Sequence, residues 1–168
     1  MYQLILAASI SSFILGLFGV SWEDVDEKIE NEFPSVEFIT VDTLHAHYQT
    51  TPDQLPLIID VRDEDEFTVS HLATAKNLLT GEEISRLASD RSQPIVVYCS
   101  VGYRSAAVAE ELKSLGYSNV KNLRHSLFEW ANKGLPMVNS TGQTQLVHPF
   151  NRAWGSLVDE ELHSYSTP

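Results

Sequence analysis

The sequence IVVYCSVGYRS, at residues 95–105, joins a short apolar run to a glycine-containing loop and the start of a helix. The run Ile95–Tyr98 is typical of a strand covered on both faces of a sheet, because such strands are apolar throughout. Residues 105–115 predict a helix that ends at Gly116, a residue favoured just after a helix C-terminus. This order places Cys99 at the carboxyl end of a buried strand, the edge at which open parallel sheets bind ligands.

From residue 36 onward, strand-like apolar runs alternate with amphipathic stretches, as in a parallel sheet with crossover helices. The further predicted strands are 36–41, 57–61 and 120–123, and the further predicted helices are 42–49, 82–88 and 126–133. The run at 57–61 is almost continuously apolar, which predicts an interior strand. We therefore expect a single α/β domain over residues 36–138, a mostly parallel sheet flanked by helices, followed by a C-terminal extension at 139–168.

Composition excludes several classes of function. The chain has 168 residues, enough for one ordinary domain with a core. Its 23 acidic and 11 basic residues give a net charge of -12, which would repel a nucleic acid backbone. A single cysteine excludes an intrachain disulfide and a zinc site made only of thiolates. His45 and His47 are two residues apart on a predicted helix and face different directions, so we expect no bound metal.

The N-terminus begins with an apolar run, Leu4–Val20, that contains no charged residue. It predicts a signal peptide or membrane anchor at residues 1–21, with Ser21 as a cleavage position, and hence an exported or membrane-anchored protein. The alternative is a buried N-terminal helix in a cytoplasmic protein, since no Lys or Arg precedes the run. Residues 22–35 are expected to form an acidic linker, either as a solvated segment or as a helix face beyond the membrane.

The loop after Cys99 suits a nucleophilic thiolate. Gly102 permits the positive φ with which a loop aims successive backbone N–H groups at one point. These N–H groups, the helix N-terminus and Arg104 would favour the thiolate over the thiol. The alternative is an inert core thiol, because free cysteine is among the most frequently buried residue types.

Three sets of residues occur in the order and spacing of a known family. The first is Cys-x-x-Gly-x-Arg-Ser at 99–105; the second is Ile59-Asp60-Val61-Arg62 followed by Glu66-Phe67, His71-Leu72 and Ala75-Lys76-Asn77; the third is Trp130, Gly134 and Pro136. Together they resemble the rhodanese-like domain family over about residues 36–138. Separated motifs in the correct order identify a family more specifically than any one of them alone.

The resemblance implies a sulfurtransferase. Cys99 would take a sulfane sulfur from thiosulfate or a persulfide donor and hold it as a persulfide. It would then pass the sulfur to cyanide, a small thiol or a protein thiol, without a cofactor. The substrate would lie in the loop formed by Ser100, Val101, Gly102, Tyr103, Arg104 and Ser105, where Arg104 would attract anionic donors. Asp60 and Arg62 are interpreted as a structural pair that tethers the strand end beneath the loop.

Some residues depart from the family pattern: Ser70 and Thr74 stand where the family usually has glycine, and Arg124-His125-Ser126 replaces a common Gly-Gly turn. These departures concern substrate access and local turn geometry, and they do not remove the nucleophile.

Two other functions stay open. One alternative is a catalytically idle, membrane-anchored module that binds a protein partner, and retention of the complete loop argues against it. The other is a small cysteine phosphatase or arsenate reductase. It is disfavoured by the six-residue loop from Cys99 to Arg104, because related phosphatases have a longer one, and by the absence of an evident general acid.

The extension at 139–168 has no clear periodicity but contains Val147, Phe150 and Trp154. These apolar side chains would either fold back onto the domain or engage a partner. We favour docking onto the domain.

Overall fold

A computed structural model describes residues 19–167 of the chain. Its strands are β1 (Glu37–Ile39), β2 (Leu57–Asp60), β3 (Lys76–Asn77), β4 (Ile95–Tyr98), β5 (Val120–Leu123), β6 (Met137–Asn139) and β7 (Gly142–Thr144). Its α-helices are α1 (Trp22–Glu32), α2 (Val41–Thr50), α3 (Glu64–Val69), α4 (Gly81–Leu87), α5 (Tyr103–Ser114), α6 (Ser126–Asn132) and α7 (Arg152–Gly155).

Strands β1 to β5 form one parallel sheet in the order β1-β5-β4-β2-β3. Strand β4 lies in the centre, and all four of its residues are buried. Strand β2 is interior, between β4 and β3, as its apolar composition predicts. The predicted α/β fold, a mostly parallel sheet flanked by helices, is confirmed.

Several predicted element boundaries differ from the observed ones by one or two residues, and two of these differences have a local reason. Helix α5 begins at Tyr103, two residues earlier than predicted, because Gly102 takes the N-cap position with a φ of 104°. Helix α2 begins at Val41, one residue earlier than predicted, because Thr40 caps it by accepting a hydrogen bond from the Thr43 N–H. In both helices the N-cap residue lies directly before the first helical residue, so the residue type at this one position explains where the helix begins.

Of the two alternatives for the acidic segment at 22–35, the structure shows a helix, and this helix packs on the domain instead of serving as a linker. Most of it is helix α1, which Ser21 caps and whose Val25 and Ile29 are buried against the domain. Four-residue spacing puts these two side chains on one face of the helix, while six acidic residues lie among its other positions. The acidic composition therefore marks an amphipathic helix rather than a solvated linker.

The predicted signal peptide or membrane anchor lies almost entirely outside the described residues, which begin at Gly19. No helix within residues 19–167 is both long and apolar enough to cross a membrane.

The C-terminal extension packs onto the domain. Strands β6 and β7 pair as an antiparallel hairpin, and the backbone of Val138 exchanges hydrogen bonds with that of His71. Val147 is fully buried. The Asn132 side chain donates a hydrogen bond of 2.9 Å to the carbonyl of Leu157, and this contact joins α6 to the extension. Of the two alternatives for the extension, the structure shows the folded-back one.

Candidate active site

Cys99 follows β4 at the carboxyl edge of the sheet and precedes α5. Cys99 is only 1% exposed, and its Sγ accepts a hydrogen bond of 3.2 Å from the Gly102 N–H. Gly102 has a φ of 104°, and a Cβ there would lie 3.4 Å from the Leu123 carbonyl oxygen. Glycine therefore lets the loop turn back so that a backbone N–H meets the sulfur.

The first residues of α6 form hydrogen bonds with the backbone of Cys99 and Ser100. Ser126 Oγ accepts a hydrogen bond of 3.2 Å from the Cys99 N–H and donates one of 2.8 Å to the Leu123 carbonyl. The N–H groups of Leu127 and Phe128 donate to the carbonyls of Cys99 and Ser100, at 3.2 and 3.0 Å. The backbone on both sides of the thiol is thus fixed by a second element. In the sequence, Ser126 stands out only because it belongs to Arg124-His125-Ser126, which replaces a common Gly-Gly turn.

The side chain of Ser105 supports the loop. It is fully buried, and its Oγ donates a 2.7 Å hydrogen bond to Asn122 Oδ1. The Asn122 side-chain amide donates in turn to the Gly102 carbonyl at 2.8 Å. The Ser105 hydroxyl is thus used within the protein, and the prediction that Ser105 binds substrate now concerns its backbone N–H, which lies in the first turn of α5. Asn122 carried no functional prediction, since its position within β5 gives no indication of this contact.

A pocket of about 260 Å³ opens at the cysteine. It is lined by the loop residues Cys99, Ser100, Val101, Tyr103 and Arg104, and by Phe150 and Trp154 of the C-terminal extension. The predicted loop residues other than Gly102 and Ser105 thus face one space. The sequence predicts that the two aromatic residues dock onto the domain. It does not predict that they line the cysteine pocket, because this position depends on the path of the extension.

Arg104 is paired with Glu66 of helix α3. Its Nη1 and Nη2 donate hydrogen bonds of 2.8 Å to the two carboxylate oxygens, and Ser100 Oγ donates to the same carboxylate at 2.9 Å. Burial alone would raise the pKa of the Glu66 carboxyl, but the hydrogen bonds and charge of Arg104 outweigh it and hold the pKa below its usual value. The fork of the guanidinium is therefore already occupied by a carboxylate. Glu66 belongs to the family-like motif, yet its role was not predicted.

Asp60 and Arg62 form a second, fully buried pair beneath the loop. Arg62 Nε donates to Asp60 Oδ1 at 2.9 Å, Nη2 donates to Oδ2 at 2.7 Å, and Nη2 also donates to the Ser70 carbonyl at 2.6 Å. Burial disfavours the charged guanidinium, but the carboxylate of Asp60 outweighs this effect and raises the pKa of Arg62. The pair joins the end of β2 to the residue after α3 and does not line the pocket.

Left-handed backbone occurs at three of the positions that depart from the family pattern. Thr74 has a φ of 67°, His125 of 56° and Ser126 of 46°. Glycine adopts this conformation without a steric penalty, whereas a residue with a Cβ does not. The departures therefore keep the turn geometry at the expense of backbone strain. Ser70, in contrast, is extended.

Within residues 19–167, no group of three or more His, Cys, Asp or Glu side chains could hold a metal ion.

Comparisons with known proteins agree on one family. A family model described as the rhodanese-like domain matches residues 40–133. A sulfurtransferase of Allochromatium vinosum is 34% identical over 89 residues, which cover 51% of this chain and 81% of the relative. A thiosulfate sulfurtransferase of Coxiella burnetii is 36% identical over 76 residues, covering 44% of this chain and 70% of the relative.

A solved structure supports the fold. The crystal structure of thiosulfate sulfurtransferase from Pseudomonas aeruginosa matches with a TM-score of 0.59 and 21% identity. The match covers 73% of this chain and 23% of that chain. At this identity the likeness concerns the fold.

Proposed function

Because the chain belongs to the rhodanese-like domain family, we propose that it is a sulfurtransferase acting through a persulfide on Cys99. It moves a sulfane sulfur from thiosulfate or a persulfide donor to a thiophilic acceptor. The observation that carries this proposal is the hydrogen bond from the Gly102 N–H to Cys99 Sγ at the mouth of a pocket. A hydrogen bond to the charged form of a thiol favours that form.

The first half-reaction loads the enzyme. The Cys99 thiolate attacks the outer sulfur of thiosulfate, the S–S bond of the donor breaks, and its electron pair leaves with sulfite. Cys99 then carries a persulfide anion, so the negative charge has moved one atom further into the loop. The first N–H groups of α5 have no acceptor within the helix and lie at this end of it. They are suited to stabilise an anion there.

The second half-reaction needs an acceptor from outside. Cys99 is the only cysteine in the chain, so a second thiol of the same chain cannot resolve the persulfide. An acceptor such as cyanide, a small thiol or a protein thiol attacks the outer sulfur and restores the Cys99 thiolate. Donor and acceptor therefore use the same site in turn, which gives ping-pong kinetics.

Steady-state kinetics test this proposal. Thiocyanate formation from thiosulfate and cyanide should give parallel double-reciprocal lines, and Cys99→Ser should abolish it. Ser92→Ala, which changes an exposed serine before β4 and therefore at the opposite end of that strand from Cys99, is a control expected to keep full activity. Intersecting lines, or turnover by Cys99→Ser, would rule out the persulfide route. Hydrolysis of a phosphate ester by the wild type would indicate the cysteine phosphatase alternative.

We further propose that residues 1–21 export or anchor the protein, because Leu4–Val20 is an uncharged apolar run. Fusion of the first 30 residues to a reporter, followed by fractionation, tests this directly. An exported or membrane-bound reporter is expected, and an unprocessed cytosolic reporter would contradict the proposal. Cleavage after Ser21 would also remove the side chain that caps α1, at a cost of about 1 kcal/mol.

A further inference from the structure

We propose that Phe150 and Trp154 make the Cys99 pocket selective for a sulfur donor that carries an apolar organic group and at most one negative charge. This inference rests on the proposed sulfur transfer and defines its substrate class. Both residues lie beyond the family match, which ends at residue 133. The C-terminal extension therefore supplies one wall of the pocket, formed by Phe150 and Trp154, while the loop after Cys99 belongs to the part of the chain that matches the family.

The charge around the pocket disfavours a dianion. Arg104 is the basic residue of the pocket lining, and both of its Nη atoms are bonded to the Glu66 carboxylate. Asp63 Oδ2 lies 3.7 Å from Arg104 Nη1, so two carboxylates flank one guanidinium. The whole chain carries a net charge of -12. A doubly charged donor such as thiosulfate consequently meets little net attraction here.

The shape of the pocket favours an apolar group. The Phe150 ring covers the Arg104 guanidinium at 4.4 Å, which removes one face of the cation from solvent and donors. Val101, Tyr103 and Trp154 supply further apolar surface around the cysteine. A volume of about 260 Å³ holds more than an inorganic sulfur anion. Aromatic side chains lining such a space bind an organic ring through apolar contact.

The extension is built to hold this wall in place. Asn151 caps α7 by accepting a hydrogen bond of 2.9 Å from the Trp154 N–H, and Phe150 adopts a left-handed φ of 62° just before it. The backbone of Val147 then pairs with Leu162 and Ser164 at 2.8 and 3.0 Å. These bonds fix both ends of the segment that contains the two aromatic residues.

An organic thiosulfonate, RSO₂S⁻, is a donor of this class. The Cys99 thiolate attacks its outer sulfur, the bond between the two sulfur atoms breaks, and the electron pair leaves with the sulfinate RSO₂⁻. The products are the Cys99 persulfide anion and the sulfinate, so atoms and charge balance without an oxidant or a proton.

The test compares benzenethiosulfonate with methanethiosulfonate, because both carry one charge and differ in the organic group. Cyanide is the acceptor in every assay, and thiosulfate serves as the dianionic reference. For the wild type we expect kcat/KM to fall in the order benzenethiosulfonate, methanethiosulfonate, thiosulfate. Phe150→Ala should lower the ratio of the two thiosulfonates by about 10-fold, the discrimination that one lost apolar contact provides.

Two further variants keep the test independent of folding. Phe150→Leu retains apolar volume and should keep most of the preference, whereas Tyr165→Ala removes an exposed aromatic residue of the same extension outside the pocket and should leave the ratio unchanged. Equal loading of Cys99 by all donors, seen as intact mass, with a ratio unaffected by Phe150→Ala would overturn this inference alone. No loading of Cys99 by any donor would overturn the proposed function and this inference with it.

Discussion

Arg104 and Glu66, 38 residues apart in sequence, are joined by two hydrogen bonds of 2.8 Å at the edge of the cysteine pocket. The pair has a direct functional consequence. A loop arginine bound to a carboxylate positions the loop, and it attracts anionic donors less than the sequence suggests. The Ser100 hydroxyl, which donates to the same carboxylate, extends this network along the loop.

Glu66→Gln should destabilise the fold in a pH-dependent way. The folded-state pKa of Glu66 lies below its usual value, so its ionised form stabilises the fold above the unfolded pKa of about 4.3. This contribution is lost as the pH falls through the lower, folded-state pKa. Urea unfolding should show a loss of about 1–3 kcal/mol at neutral pH, because the half-buried Arg104 guanidinium loses its charged partner.

The difference between wild type and Glu66→Gln should shrink as the pH falls below the unfolded pKa. The matched control is Glu82→Gln, since Glu82 forms an exposed ion pair with Arg86 on α4. Such exposed pairs contribute about 0–1 kcal/mol. A pH-independent difference for Glu66→Gln would contradict the assigned role of its ionised carboxylate.

Asp60→Ala should destabilise the protein by about 3–5 kcal/mol, because it leaves Arg62 charged, buried and without its carboxylate partner. Thermal unfolding followed by circular dichroism measures the effect. The variant should still accept sulfur on Cys99 when assayed below its unfolding temperature, since the pair does not line the pocket. Loss of sulfur loading in a folded Asp60→Ala protein would instead assign Asp60 a role in the reaction.

Ile29→Ala tests whether α1 is part of the domain. Ile29 is 2% exposed and packs in the core, and truncation of such a side chain costs about 2–5 kcal/mol. Glu30→Ala, at an exposed position of the same helix, should change the free energy of unfolding by no more than about 0.5 kcal/mol. Similar effects of the two substitutions would support the acidic linker that composition alone suggests.

Thr74→Gly should stabilise the protein. Thr74 has a φ of 67°, and the left-handed region costs a residue with a Cβ about 1–2 kcal/mol, more than the entropy that glycine adds to the unfolded chain. We expect a gain of about 0.5–1 kcal/mol in chemical denaturation. The neighbouring Ala73→Gly lacks this strain and should lose a similar amount. A loss for both variants would show that Thr74 is not strained.

The central part of the fold is predictable from the sequence because its signals are local. Strands β4 and β5 have their predicted bounds, since a buried strand of a parallel sheet is a short, uniform apolar run. Helix α3 and strand β3 have only six and two residues, too few to show a period. The packing of helix α1 on the domain is not evident from the sequence, because its acidic residues outnumber the two apolar side chains that anchor it.

The residues of the candidate site also fall into those that the sequence predicts and those that only the structure shows. Cys99, Gly102 and Arg104 lie within one loop, so their proximity follows from chain connectivity. Glu66 and Phe150 reach this loop only through the path of the whole chain, and no local pattern encodes that path. The charge and walls of the pocket, on which the proposed substrate preference depends, therefore required the structure.

The intact mass of the full chain, before and after incubation with thiosulfate or benzenethiosulfonate, tests the persulfide on Cys99 most directly. We predict a gain of one sulfur atom that a reducing agent or cyanide reverses and that Cys99→Ser does not show. An unchanged mass with every donor, or the same gain in Cys99→Ser, would contradict the proposed function.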